Sequence, residues 1–146
     1  MRFQKETNST ETMKVAVDSS VLLDFFAADP VHGERSREAL RLAYNSGAVV
    51  ACEVIWAEVR AHFQTDAEFS EAMKDLSIRF EAIFDDAAAK AGQLWREIRR
   101  EKGASRVRVV ADLLIGAHAL IQSDALLTRD RGFYRGRFKG LRIVEP

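Results

Sequence analysis

Five short apolar runs, separated by stretches of helical periodicity, limit what this chain can fold into more than any other feature. The runs cover residues 14–18, 48–52, 78–84, 124–128 and 141–144. The first two read KVAVD and AVVAC, nearly continuous apolar segments of the kind buried on both faces of a parallel sheet. Residues 78–84 alternate apolar and charged side chains, as a half-buried strand does. Helices are predicted between them over 19–27, 33–46, 53–63, 66–76, 87–101 and 107–122. Strands alternating with helices belong to the α/β class, with a mostly parallel central sheet covered on both faces as an α/β/α sandwich.

Local signals set the boundaries. The Asp29-Pro30 pair breaks the first helix, because the residue before proline avoids helical backbone angles. Ala39, Leu40, Ala43 and Tyr44 mark the inner face of the second helix, and Gly47 ends it. Asp85 or Asp86 can cap the helix whose face is Ala91, Leu94, Trp95 and Ile98. Residues 1–12 are polar and without periodicity, and are read as a disordered N-terminal tail, with Met13 an alternative start. The remaining 13–146 is long enough for one domain and one core. Lys plus Arg equals Asp plus Glu at 22 each, so net charge does not point to nucleic acid. Cys52 is the only cysteine, which excludes an intrachain disulfide and a multi-cysteine zinc site. No apolar run approaches the ~20 residues that span a bilayer, and no signal peptide is visible, so a cytoplasmic, non-membrane protein is expected.

Four acids stand against these apolar segments. Asp18 closes the first run, and Asp130 lies two residues beyond Thr128, at the end of the fourth. Ligands of open α/β sheets bind at the carboxyl ends of strands, so both fall on one rim. Asp18 taken alone is equally a cap for the following helix. Glu58 shares a helical stripe with Ile55, Val59 and His62, and a glutamate facing inward wants a partner, which His62, Arg60 or a more distant basic residue offers. Asp112 points away from the apolar face of Val110, Leu113, Leu114, Ala117 and Ile121. It shares its side with Gly116, Ala119 and Ser123, small residues that permit close approach by a backbone or a ligand. The plain alternative is a solvated aspartate near a helix start.

Together these segments resemble the PIN-domain family. VAVDSSVLLDFF is similar to its first motif, an acid at a strand end followed by a small hydroxyl residue and an apolar helix. EVIWAEVRAHF resembles the second, with an internal glutamate on a helix, and VVADLLIGAHAL the third, where Asp opens an alanine-rich helix. ALLTRDRGFYR resembles the last, a Thr-Arg-Asp motif followed by an aromatic. The resemblance runs from Lys14 to the C-terminus, and the size looks most like the VapC-type toxins of bacterial toxin–antitoxin pairs. One departure is Cys52-Glu53, which stands where a small hydroxyl residue often caps the second-motif helix. The likeness implies a single PIN-like domain and a metal-dependent endoribonuclease, the toxin of a type II pair. It also implies structured or single-stranded RNA as substrate, a homodimer, and a cognate antitoxin whose segment occupies the groove near the acids.

Electrostatics supports a metal independently. Two carboxylates about 4 Å apart repel by roughly 4 kcal/mol at an effective dielectric of about 20. Mg²⁺ or Mn²⁺, which prefer oxygen ligands, removes the conflict. Asp18 and Asp112 are the expected principal ligands, and Asp130 supports the same ion or a second one. Glu58 completes the catalytic set through water or positions the nucleophile. Ser20 and Thr128 are expected to support the acids with their hydroxyls, although Ser20 is equally an ordinary first-turn residue.

An anionic substrate needs cations nearby. Arg129, Arg131, Arg135, Arg137 and Lys139 crowd a basic loop around Asp130, with Phe133, Tyr134 and Phe138 interleaved, and Arg106 and Arg108 precede Asp112. Arg129, Arg131, Arg135 and Arg108 are the expected RNA contacts, and exposed aromatics can stack on unpaired bases. The alternative buries Phe133 and Phe138 in the core. Trp56, Trp95, Phe25 and Phe26 are expected in the core or an interface, and His32 and His118 to be structural or exposed. Two other functions fit the same features. One is a non-catalytic RNA- or protein-binding module on the same fold. The other is a phosphatase with Asp18 as nucleophile, which Ser20 disfavours because a second acid usually holds that place.

Overall fold

The structure, a computed structural model, describes residue 3, residues 12–101 and residues 106–146, except for the side chains of 106–108. Its strands are β1 (Met13–Val17), β2 (Gly47–Ala51), β3 (Ile78–Phe80), β4 (Ala125–Leu127) and β5 (Ile143–Val144). They form one sheet in the order β3-β2-β1-β4-β5, and every pairing is parallel. The helices are α1 (Ser19–Phe26), α2 (Gly33–Ser46), α3 (Glu53–Arg60), α4 (Asp66–Asp75), α5 (Asp85–Arg99), α6 (Arg106–Gln122) and α7 (Arg131–Arg137). The α/β architecture expected from the alternation is therefore present.

Sheet burial follows from composition. Val15, Ala16, Val17, Val49, Val50, Ala51, Leu126 and Leu127 are all buried, so successive side chains on both faces are covered. Gly47 is required by a close approach: a Cβ there would lie 2.0 Å from the Met13 carbonyl oxygen across the β1–β2 pairing. β1 is central, with β2 and β3 on one side and β4 and β5 on the other. Chain order thus reverses direction between β1 and β4, the switch point where a crevice opens at strand carboxyl ends.

Several elements depart from expectation. β3 ends at Phe80, because Glu81 turns its carboxylate to Lys14 Nζ (2.6 Å) and His118 Nε2 (2.9 Å). The basic loop is a helix, α7, pinned by buried Tyr134 and Phe138 and packed against by half-buried Phe133. Those rings serve the core and are not free to stack on bases. Phe84 holds the N-cap position of α5, while Asp85 and Asp86 each accept from the next residue's amide (2.9 and 2.8 Å). α6 is buried more widely than its predicted face: Leu113, Ile115, Ala117, His118 and Ala119 are all covered, and Ile121 is exposed. Trp56, Trp95, Phe25 and Phe26 pack against the core, half-buried. Most of 1–12 lies outside the described residues; Phe3 is buried and its ring centroid lies 6.3 Å from that of Tyr44. Among the described residues, no helix is long and apolar enough to cross a membrane.

Candidate active site

β1 and β4 run side by side and deliver the first two groups. The Asp18 amide donates to the Leu127 carbonyl (2.9 Å), which extends the pairing one residue past the end of β1. Asp18 then caps α1, its Oδ1 accepting from the Ser19 amide at 2.8 Å. The capping alternative and the site reading are therefore compatible: one carboxylate oxygen is used for the cap. The other, Oδ2, accepts from Thr128 Oγ1 at 2.7 Å and from Ser20 Oγ at 3.5 Å. Thr128 is fully buried, and its hydroxyl oxygen also accepts from the Asp130 amide at 2.9 Å. A single hydroxyl thus joins the two aspartates expected on this rim.

The remaining acids arrive from helices. Asp112 is half-buried on α6, and Glu58 is exposed on α3. Glu58 does not face inward as its stripe implied, and His62 beside it is exposed as well, while Arg60 bonds Asp66 (2.6 Å) and the Phe63 carbonyl (2.7 Å). The cap position of α3 falls to Cys52, which makes no side-chain capping bond. Glu53 instead accepts from the Ile83 amide (2.9 Å). Gly116, one turn beyond Asp112, lets the Phe138 ring press onto α6, since a Cβ there would lie 2.2 Å from it.

Tyr134 reports where the four acids lie. Its side chain is buried, and burial raises its phenol far above the ordinary value. The charges of Asp18, Asp112, Asp130 and Glu58, in that order, push it further. Hydrogen bonds through Thr128 link Asp18 to the Asp130 turn, while Asp112 and Glu58 are marked by their charge effect on Tyr134. Burial likewise raises the Asp18 carboxyl, and the nearby Asp130 charge adds to it, against the lowering effect of bonds from Thr128, Ser19 and Ser20. Among the described residues, no three His, Cys, Asp or Glu side chains stand close enough to enclose an ion as they lie. The four acids nonetheless offer hard oxygens, and the charge of Asp130 beside Asp18 is the kind of conflict that a divalent cation relieves.

The arginines divide. Arg131 and Arg135, one turn apart on α7, both reach Glu145 (3.1 and 3.5 Å) and remain largely exposed. Arg137 is bound by Glu101 through two bonds of 2.9 Å. Arg129 is turned the other way: its Nε and Nη2 donate to the two oxygens of Asp24 at 2.6 and 3.0 Å. The side chain of Arg108 lies outside the described residues. Asp24 and Tyr134 were not singled out as site residues from the sequence. The signal for Asp24 is an acid inside the apolar run VLLDFF, and for Tyr134 a hydroxyl one helical turn past Asp130.

Comparison with known proteins places this geometry. The domain of VapBC2 from Rickettsia felis, solved with a promoter DNA fragment, superposes with a TM-score of 0.69 at 16% identity, covering 91% of this chain and 98% of that one. DNA-bound VapBC from Salmonella typhimurium gives 0.66 at 17% identity, with 92% and 98% covered. VapC20 from Mycobacterium tuberculosis, a toxin that cleaves the sarcin-ricin loop, gives 0.54 at 15% identity, with 88% and 98% covered. At such identities the likeness is one of fold. No curated protein sequence gives a significant match. The family model described as PIN domain matches residues 15–139, most of the chain, and the four acids lie inside that span. This chain belongs to the PIN-domain family.

Proposed function

We propose that this protein is a metal-dependent endoribonuclease and the toxin of a type II toxin–antitoxin pair. The supporting observation is Asp18, at the carboxyl end of β1, joined through the Thr128 hydroxyl to the turn that carries Asp130 at the carboxyl end of β4. Asp18, Asp112 and Asp130 would hold Mg²⁺ or Mn²⁺, which when bound neutralises the acids, orients a phosphate and activates a water. The chain's own groups prepare for this. Thr128 and the Ser19 amide fix the orientation of Asp18. Tyr134 keeps its proton and stays a donor among carboxylates. Glu58, exposed on α3, is assigned the orientation of the attacking water. Arg131 and Arg135 share one glutamate, which leaves excess positive charge on α7 for RNA phosphate; Arg108 is proposed for the same role from its place before Asp112.

A cognate antitoxin is proposed because two of the structures with this fold are VapBC complexes. A homodimer is proposed with it. The test measures cleavage of an RNA panel with Mg²⁺, with chelator, and with Asp18→Ala. Cleavage abolished by both treatments is expected, and cleavage indifferent to both defeats the proposal. Tight RNA binding without turnover would make the protein a binding module instead.

A further inference from the structure

Between β4 and α7 the chain has three residues, Thr128, Arg129 and Asp130, and two of them belong to the proposed site. What keeps so short a turn in place is visible on the neighbouring helix. Asp24 of α1 is 5% exposed, and it receives both Arg129 bonds plus a third from Ser36 Oγ of α2 at 2.9 Å. A buried carboxylate is tolerable when paired and hydrogen-bonded in this way. A bidentate guanidinium also fixes direction as well as distance. α1 therefore holds the turn at two consecutive residues: Thr128 through Asp18 at its start, and Arg129 through Asp24 two turns along. The third residue, Asp130, has backbone angles of −95° and 58°, neither helical nor extended, and its side chain makes no capping bond to α7. Its amide is held only one step away, by the Thr128 hydroxyl.

We infer that Arg129 is a positioning residue, whose clamp on Asp24 sets the turn so that Asp130 stands beside Asp18, and that it is not a contact to RNA. The inference rests on the nuclease reading for its effect on turnover, but the clamp itself can be tested without it. Two roles for Arg129 predict different behaviour. A phosphate contact acts on binding and its salt dependence. A clamp acts on the placement of an acid, and losses through such outer partners run about 10- to 100-fold.

The experiment compares wild type with Arg129→Ala, Arg129→Lys, Asp24→Asn and the double variant Asp24→Asn/Arg129→Ala. Amide hydrogen exchange over 128–131 is read together with kcat, KM and the salt dependence of RNA binding. Arg129→Ala is expected to speed exchange at the Asp130 amide at least about 10-fold and to lower kcat by about 10- to 100-fold. KM and the salt slope should be unchanged. Asp24→Asn, which touches no substrate, should reproduce both effects, the double variant should be no worse than the worse single one, and Arg129→Lys should recover part of kcat. A raised KM with a flatter salt slope and unaltered exchange would overturn the clamp in favour of RNA contact. Should Arg129→Ala melt below the assay temperature, Asp24→Asn/Arg129→Gln replaces it, because that pair buries no lone charge yet cannot span the gap with two bonds. Normal exchange and kcat there would also overturn the clamp. If wild type shows no chelator-sensitive cleavage, the nuclease reading fails, and exchange at Asp130 still decides the clamp.

Discussion

Asp18 concentrates the conflict between stability and function. Its carboxyl is raised by burial first and by the Asp130 charge as well, so the folded protein holds that proton more tightly than the unfolded chain does. A group with a raised folded value contributes stability that is complete below its unfolded value of 3.8 and is lost as pH rises through the folded one. At neutral pH the ionised Asp18 is therefore a net cost. Asp18→Asn is expected to raise the melting temperature at neutral pH, while cleavage falls by at least about 100-fold. The gain should shrink as pH drops toward 3.8, where the wild-type carboxyl becomes neutral too. Thermal melts across pH check the sign; an Asn variant less stable than wild type at neutrality would mean that the bonds from Thr128 and Ser19 outweigh burial. This is the residue-scale form of a common trade, in which a site retains charge that folding alone would remove.

At the scale of elements, α7 couples the core to the surface proposed to face RNA. Its inner face is Tyr134 and Phe138, and its outer face carries Arg131 and Arg135. Gly116→Ala would drive a methyl group into the Phe138 ring, and the expected result is a loss of about 1–3 kcal/mol in denaturant unfolding, with cleavage reduced as α7 shifts. Arg131→Ala and Arg135→Ala should leave stability nearly unchanged, since both ion pairs are exposed. Each should flatten the log–log salt dependence of binding to single-stranded RNA by roughly 0.7. The same helix shows what the sequence conceals. The sequence reads there as a basic loop, and the helix is folded by buried Tyr134 and by Phe138, whose ring meets α6 at Gly116, a contact between distant segments. β1 and β2 were legible because strands buried on both faces are nearly all apolar. β3 was overextended because Glu81 interrupts an alternating pattern through partners 67 and 37 residues away. Strand ends and helix starts marked the positions of Asp18 and Asp130, whereas Glu58 is exposed because the covered side of α3 is carried by Ile55 and Val59 and the other half of the stripe, Glu58 and His62, lies at its edge. The Asp24–Arg129 pair has a separation of 105 residues and no local pattern to announce it.

For the molecule as a whole, strand order is the cause of the site. With β1 at the centre, β4 parallel beside it and the strand order reversing between them, the turn after β4 must sit beside the turn after β1, so Asp18 and Thr128 meet without any long loop. α6 packs against the same two strands and carries Asp112, and α3 packs against α6 and carries Glu58, so both acids are proposed to join that edge. The resulting accumulation of negative charge has a consequence measurable without RNA. A cation that binds the folded chain and not the unfolded one stabilises it by about 2.7 kcal/mol at 100 times its dissociation constant. Mg²⁺ or Mn²⁺ is therefore expected to raise the melting temperature of wild type in a concentration-dependent way, on the order of several degrees for a domain of this size. Asp18→Asn and Asp112→Asn should each remove most of that shift, and Asp18→Asn should start from a melting temperature no lower than that of metal-free wild type. Sodium chloride at matched ionic strength separates specific binding from screening, since screened repulsion would stabilise wild type equally in both salts. An equal shift in wild type and both variants would place the cation elsewhere on the surface.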